Sequence, residues 1–157
     1  MSKPHPMDNI IVRQLRFDFG QAEQRCVWSQ SSPEFSMFIN ALGLHVPYFE
    51  KFLVKVMRQY RDALTDPTLA TDVKAIIGQE AHHAYNFVRW NQVLCARYPN
   101  LRRLEQSAES FFLRAFEARS KQFKIGFTAG YETFTFLGGM IILDRYEELM
   151  AEADPDL

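Results

Sequence analysis

Between Phe35 and Tyr60 the apolar residues Phe35, Phe38, Ile39, Leu42, Val46, Phe49, Leu53, Val56 and Tyr60 recur three or four positions apart. That is the spacing of one face of an α-helix, and it predicts helix from about 34 to 64. Ser31-Ser32-Pro33-Glu34 supplies the start, with Ser32 as N-cap and Pro33 in the first turn. Pro47 is expected to kink or break the run near His45, because proline lacks the N–H and pushes its predecessor out of the helical region. Thr65-Asp66-Pro67 closes this region. A second helix, about 68 to 97, places Val73, Ile76, Ile77, Phe87 and Leu94 on one face, and Tyr98-Pro99-Asn100 breaks it. A third spans about 101 to 119 with Leu104, Phe111, Phe112, Ala115 and Phe116, and a fourth spans about 121 to 150. Ahead of Ser32, Pro4 and Pro6 oppose helix, and Ile10 to Phe19 reads as an extended stretch lying across the body. The expectation is an N-terminal arm over 1–32 and a helical domain over 33–157. Short proline-bearing connections make the domain an all-α antiparallel bundle.

Carboxylates and one histidine break these apolar faces. The stretch 125–143 holds a single charged residue, Glu132, near its middle. A buried carboxylate is costly unless it is protonated, paired with a cation such as Arg89, or bound to a metal. In the second helix, Glu80 and His83 are three residues apart and share the face that carries Ile76, Ile77 and Phe87. His82 points elsewhere and is read as solvated. In the first region, Glu50 follows Val46 by four and precedes Leu53 by three, so it also sits on or beside an apolar stripe. Its alternative role is at the rim, paired with Lys51 or Lys55. Three helices thus each send a carboxylate inward, and one adds an i, i+3 histidine. Di-iron and di-manganese bundles use such donors, with a Glu from each of two helices and Glu-x-x-His from two others. Taken so, Glu50, Glu80, His83 and Glu132 are candidate metal ligands. Tyr85, Tyr131, Trp90 and the Phe stripes are read as core.

Composition narrows the choice of partners. With 157 residues the chain is expected to form one domain with its own core. The net charge of −1 and the scattered Lys and Arg give no field for nucleic acid. The N-terminal residues lack the apolar run of a signal peptide, and 125–143 reads better as a buried bundle helix than as a membrane span. Cys26 and Cys95 match no zinc or redox spacing, which predicts free thiols and a cytoplasmic location. No G-x-S-x-G word occurs, so the sequence points to no catalytic nucleophile.

Three words together resemble a known family: FSMFINALGLHVPYFEKF over 35–52, DPTL followed by GQEAHH over 66–83, and AGYETFT over 129–135. They are similar in order and spacing to those of bacterial predicted metal-dependent hydrolases, from about residue 10 to the C-terminus. The resemblance implies a ferritin-like helical bundle and maps Glu50, Glu80, His83 and Glu132 onto the family's metal ligands. It also shows departures. Phe49 stands where the family has Gly, while Phe87 and Thr133 stand where it has histidines. The family's pattern continues past the Ala153-Asp154-Pro155 word into a second Glu-x-x-His-type word, which is not in this sequence, so the chain is expected to lack the C-terminal half.

The resulting expectation is a metal-dependent hydrolase-like protein with a divalent cation, iron or manganese rather than zinc, acting on a small hydrophobic substrate. Di-iron oxidation of such a substrate is the other chemistry the donors allow. The apolar load of 34–60 and 123–143 calls for a covering partner and predicts a homodimer. The rival expectation is a non-enzymatic helical protein, a ligand binder using Phe87, Phe134 and Phe136 or an oligomerisation module, with a degenerate metal site.

Overall fold

Helices begin where the sequence places prolines and capping residues. The computed structural model describes residues 10–19 and 26–153, and the readings made on 1–9, 20–25 and 154–157 lie outside them. Among the described residues there are six helices: α1 (Pro33–Gly43), α2 (Val46–Arg61), α3 (Pro67–Arg97), α4 (Leu101–Ala118), α5 (Lys121–Asp144) and α6 (Tyr146–Met150). No strand forms there; Ser29 and Ala153 make one isolated bridge. The protein is an all-α helical bundle. Pro33, Pro47 and Pro67 each occupy the first turn of a helix, where the missing N–H costs nothing. Asp66 caps α3, its carboxylate accepting from the Thr68 and Leu69 amides at 2.8 and 3.2 Å. Ser120 caps α5 through the Phe123 amide at 3.1 Å. Such caps contribute about 1 kcal/mol each. Ser32 occupies the N-cap of α1 without a side-chain cap bond.

The break near His45 is present, separating α1 from α2. The helix expected over 121–150 instead divides at Arg145, whose dihedrals (φ −114, ψ 27) leave the helical range. Glu147 and Glu148 then fall in the first turn of α6, where the helix dipole favours acidic side chains.

α2 packs most closely on α3 and also meets α4 and α5. Phe49, Phe52, Leu53 and Val56 of α2 form one core cluster with Phe112 of α4. Tyr131 of α5 stacks on Phe49 with ring centroids 3.7 Å apart. A second cluster joins Phe19, Trp28, Trp90 and Leu94. Asn40 holds both indoles: its Oδ1 accepts from Trp28 Nε1 and Trp90 Nε1 at 3.2 Å each, and its Nδ2 donates to the Cys26 carbonyl at 2.7 Å. Cys26 and Cys95 are free thiols.

Residues 10–19 run without helix along α3 and are clipped to it by side chains. Gln79 Oε1 accepts from the Arg13 amide at 3.0 Å. Asn86 Nδ2 donates to the Leu15 carbonyl at 3.0 Å, and Arg89 Nη1 donates to the Phe17 carbonyl at 2.8 Å. Alternate arm residues are thus tied to three points along one helix. A Cβ at Gly78 would lie 3.3 Å from the Val12 side chain, so a larger residue there would push the arm back by a few tenths of an ångström.

Two burial expectations need correction. The stretch 125–143 is not a fully buried helix: α5 turns Thr128 inward and leaves Phe134, Phe136, Leu137, Ile141 and Leu143 exposed. It packs chiefly against α2 and α6, which cover one side of it. Tyr85, read as core, is exposed on the solvent side of α3. No helix among the described residues is long and apolar enough to cross a membrane.

Candidate metal centre

The helical repeat of α3 puts Gln79, Glu80 and His83 on neighbouring rows. His83 Nδ1 lies 3.1 Å from Glu80 Oε2 on its own helix and 3.7 Å from Glu50 Oε1 on α2. Among the described residues, Glu50, Glu80 and His83 form a group whose candidate ligand atoms all lie within 4.8 Å of one another. Donors around one cation with bonds of ~2.1 Å stand roughly 3–3.5 Å apart, so this spacing is close to that of a coordination shell.

Glu50 is the costly member. It is only 4% exposed, and its Oε2 finds no hydrogen-bond partner. Burial, followed by the charges of Glu80 and Glu132, pushes its carboxyl up to about 9. Without a cation the group is therefore neutral at pH 7, and a buried acid is left with one unsatisfied oxygen. A divalent cation removes both problems, since it favours the carboxylate and occupies the free lone pair. Two carboxylates and an imidazole, one of the oxygens orphaned in the interior, fit a divalent cation. His83 is raised by its hydrogen bond to Glu80, against the opposing effect of burial.

Glu132 approaches from α5. It is half-buried and stands outside the group of closest donors. Burial first, then Glu80, raises its carboxyl, while the Thr135 hydroxyl at 3.5 Å and His83 pull the other way. It is close enough to feel the other members electrostatically. Arg89 does not pair with it, being bound to Phe17 and lying over the Phe19 and Tyr85 rings. Glu50 shows no ion pair with Lys51 or Lys55; those ammonium groups lie over Tyr48 and Phe116.

A family model described as predicted metal-dependent hydrolase matches residues 11–157. The chain belongs to that family. No curated protein and no solved structure matches it. In this metal-dependent hydrolase family member the carboxylate and imidazole donors are backed by a residue the sequence reading passed over. Gln79 Nε2 lies 2.8 Å from His83 Nε2 while Gln79 Oε1 holds the Arg13 amide. Its signal was present in the sequence: it precedes Glu80 and stands four residues before His83, one helical turn away.

The centre adjoins a cavity of about 440 Å³ between the arm and α3. His82, expected in solvent, is half-buried and lines this cavity beside His83, because the arm covers the flank of α3 on which it lies. Phe87 also lines it, whereas Phe134 and Phe136, expected in a pocket with it, face outward from α5.

Proposed function

We propose that the protein is a metal-dependent hydrolase whose divalent cation is held by Glu50, Glu80 and His83, with Glu132 as a further carboxylate at its edge. The observation that carries this reading is the orphaned, buried Oε2 of Glu50 in a group of convergent donors. Three carboxylates to one imidazole suit iron or manganese better than zinc. The pairing of single Glu residues on α2 and α5 with Glu-x-x-His on α3 supports a ferritin-like arrangement.

When bound, such a cation supplies a water acidic enough to ionise near neutral pH. The residues of the chain do the rest. Glu50 and Glu80 balance positive charge from two helices. Gln79 fixes the orientation of the His83 ring. Glu132, whose carboxyl is raised by burial and by Glu80, is suited to accept a proton. The adjoining cavity takes a small hydrophobic substrate.

The exposed outer face of α5 supports a homodimer. From Thr133 to Leu143 this helix carries no charge, so two copies meet there without like-charge repulsion. A non-enzymatic ligand binder is the second reading, favoured by the aromatic lining of the cavity.

Element analysis of protein purified without chelator tests the first reading. Stoichiometric iron or manganese that is lost in Glu80→Ala is expected. Metal-free protein, with Glu80→Ala of unchanged stability, would overturn the first reading and support the second.

A further inference from the structure

The cavity under the arm is polar at one end and apolar at the other. Its polar lining residues, Arg13, Gln79, His82, His83 and Asn86, belong to the beginning of the arm and to residues 79–86 of α3. Further along α3 the walls become Phe17, Phe19, Trp28, Phe35, Trp90 and Met150. The arm follows the same direction, tied at Gln79, Asn86 and Arg89 in turn, so the gradient runs along the helix axis. From Gln79 to Trp90 the helix advances about 16 Å at 1.5 Å per residue. Over this stretch the cavity, about 440 Å³ in volume, exposes a lining that is mostly apolar.

We infer that this cavity binds a straight acyl chain, with the carboxyl-derived head beside His83 and the chain running toward Trp28 and Trp90. The substrate class is then a carboxylic ester or amide of a medium-chain acid. Water adds at the carbonyl carbon, the bond to the alcohol or amine breaks, and that leaving group takes up a proton as the fatty acid forms. This placement of the reacting head rests on the proposed hydrolytic reading; the chain-binding site itself does not.

Both tryptophans of the chain, Trp28 and Trp90, line the cavity, so their emission reports its occupancy. The test titrates the full chain, freed of metal by chelator, with straight-chain fatty acids from hexanoic to hexadecanoic acid below their micelle concentrations. Saturable change in emission is expected, with affinity rising about fourfold per added methylene until the chain fills the cavity and then levelling off. Ile39→Phe, which narrows the wall, is expected to move that levelling point to shorter acids. Unmoved emission, affinity independent of chain length, or a continued rise with no limit would overturn the inference. Binding that leaves the tryptophans silent belongs to the exposed face of α5 and overturns it equally. If Ile39→Phe does not fold, the length limit in the unaltered protein still decides. Metal content measured before the chelator is added separates the two claims: protein that holds metal through Glu80 but shows no chain-length response keeps its metal centre and loses this site.

Discussion

Gln79 places its side-chain nitrogen 2.8 Å from Nε2 of His83. The orientation of the amide is fixed from the other side, because its oxygen accepts the Arg13 amide hydrogen. The ring nitrogen facing Gln79 therefore accepts a hydrogen bond, and the imidazole proton sits on Nδ1, pointing at Glu80. Glu50, Glu80 and His83 Nδ1 would hold a cation only with the ring proton on Nε2, which would then need an acceptor. Gln79 would supply one by turning its oxygen to the ring, and in doing so it would release the Arg13 amide. Metal addition is expected to speed hydrogen exchange at Arg13 while slowing it in α3. Gln79→Leu removes the link: the arm loses a bond worth about 1 kcal/mol, metal affinity drops about tenfold, and metal no longer changes exchange at Arg13. Exchange at Arg13 that ignores metal in the unaltered protein would sink this coupling.

The donor residues were legible from the chain because they violate a pattern. Glu50, Glu80 and Glu132 stand out against apolar periodicity that is otherwise regular, and the helix breaks at Pro33, Pro47 and Pro67 follow from the missing N–H alone. What the sequence did not disclose depends on three-dimensional approach. Gln79 and Asn86 look like surface residues on α3 until the arm lies over them. His82 changes from solvated to cavity-lining for the same reason. Asn40 is an ordinary polar position in a helix until two indoles, one from each side, meet its oxygen. The burial of α5 was overestimated because periodicity tells which residues are apolar and not whether a neighbouring element is there to cover them.

Stability of the metal-free protein is expected to fall as pH rises. Glu50 is raised from 4.5 to about 9 in the folded state. Between those values the folded chain holds a proton that the unfolded chain has released, so stability is fully present below about 4.5 and is lost progressively up to about 9. His83 and Glu132 are also raised and act in the same direction. Thermal melts of chelated protein at a series of pH values should therefore show decreasing Tm across this window. Glu50→Gln should flatten the slope, because the amide does not ionise, and should also abolish metal-induced stabilisation. A slope unchanged in Glu50→Gln would show that another group carries it.

Asn40→Ala should be among the more damaging single changes in α1. It removes the shared acceptor of Trp28 and Trp90 and the donor to the Cys26 carbonyl, leaving two buried indole N–H groups without their partner. A loss of about 2–6 kcal/mol in urea unfolding is expected at about 1–3 kcal/mol for each of the two unsatisfied indoles. Tryptophan emission should shift as well, since both indoles lose a fixed hydrogen bond. A loss below about 0.5 kcal/mol, the level of an ordinary surface change, would mean that the indoles find other partners.

The outer face of α5 separates a monomer from a dimer. Phe134 and Leu137 are both exposed on α5, while Glu50, Glu80 and His83 belong to α2 and α3, so charging them does not touch the bundle core. If two copies bury this face against each other, the unaltered chain should run at twice its 18.3 kDa mass in light scattering at micromolar concentration. The double change Phe134→Lys, Leu137→Lys then places four ammonium groups in one interface and should yield monomer with unchanged helical content. Its metal stoichiometry should be retained, because Glu50, Glu80 and His83 lie on α2 and α3. An unaltered chain that is already monomeric, or a double variant that remains dimeric, would remove α5 as the interface while leaving Glu50, Glu80 and His83 to be judged on their own measurements.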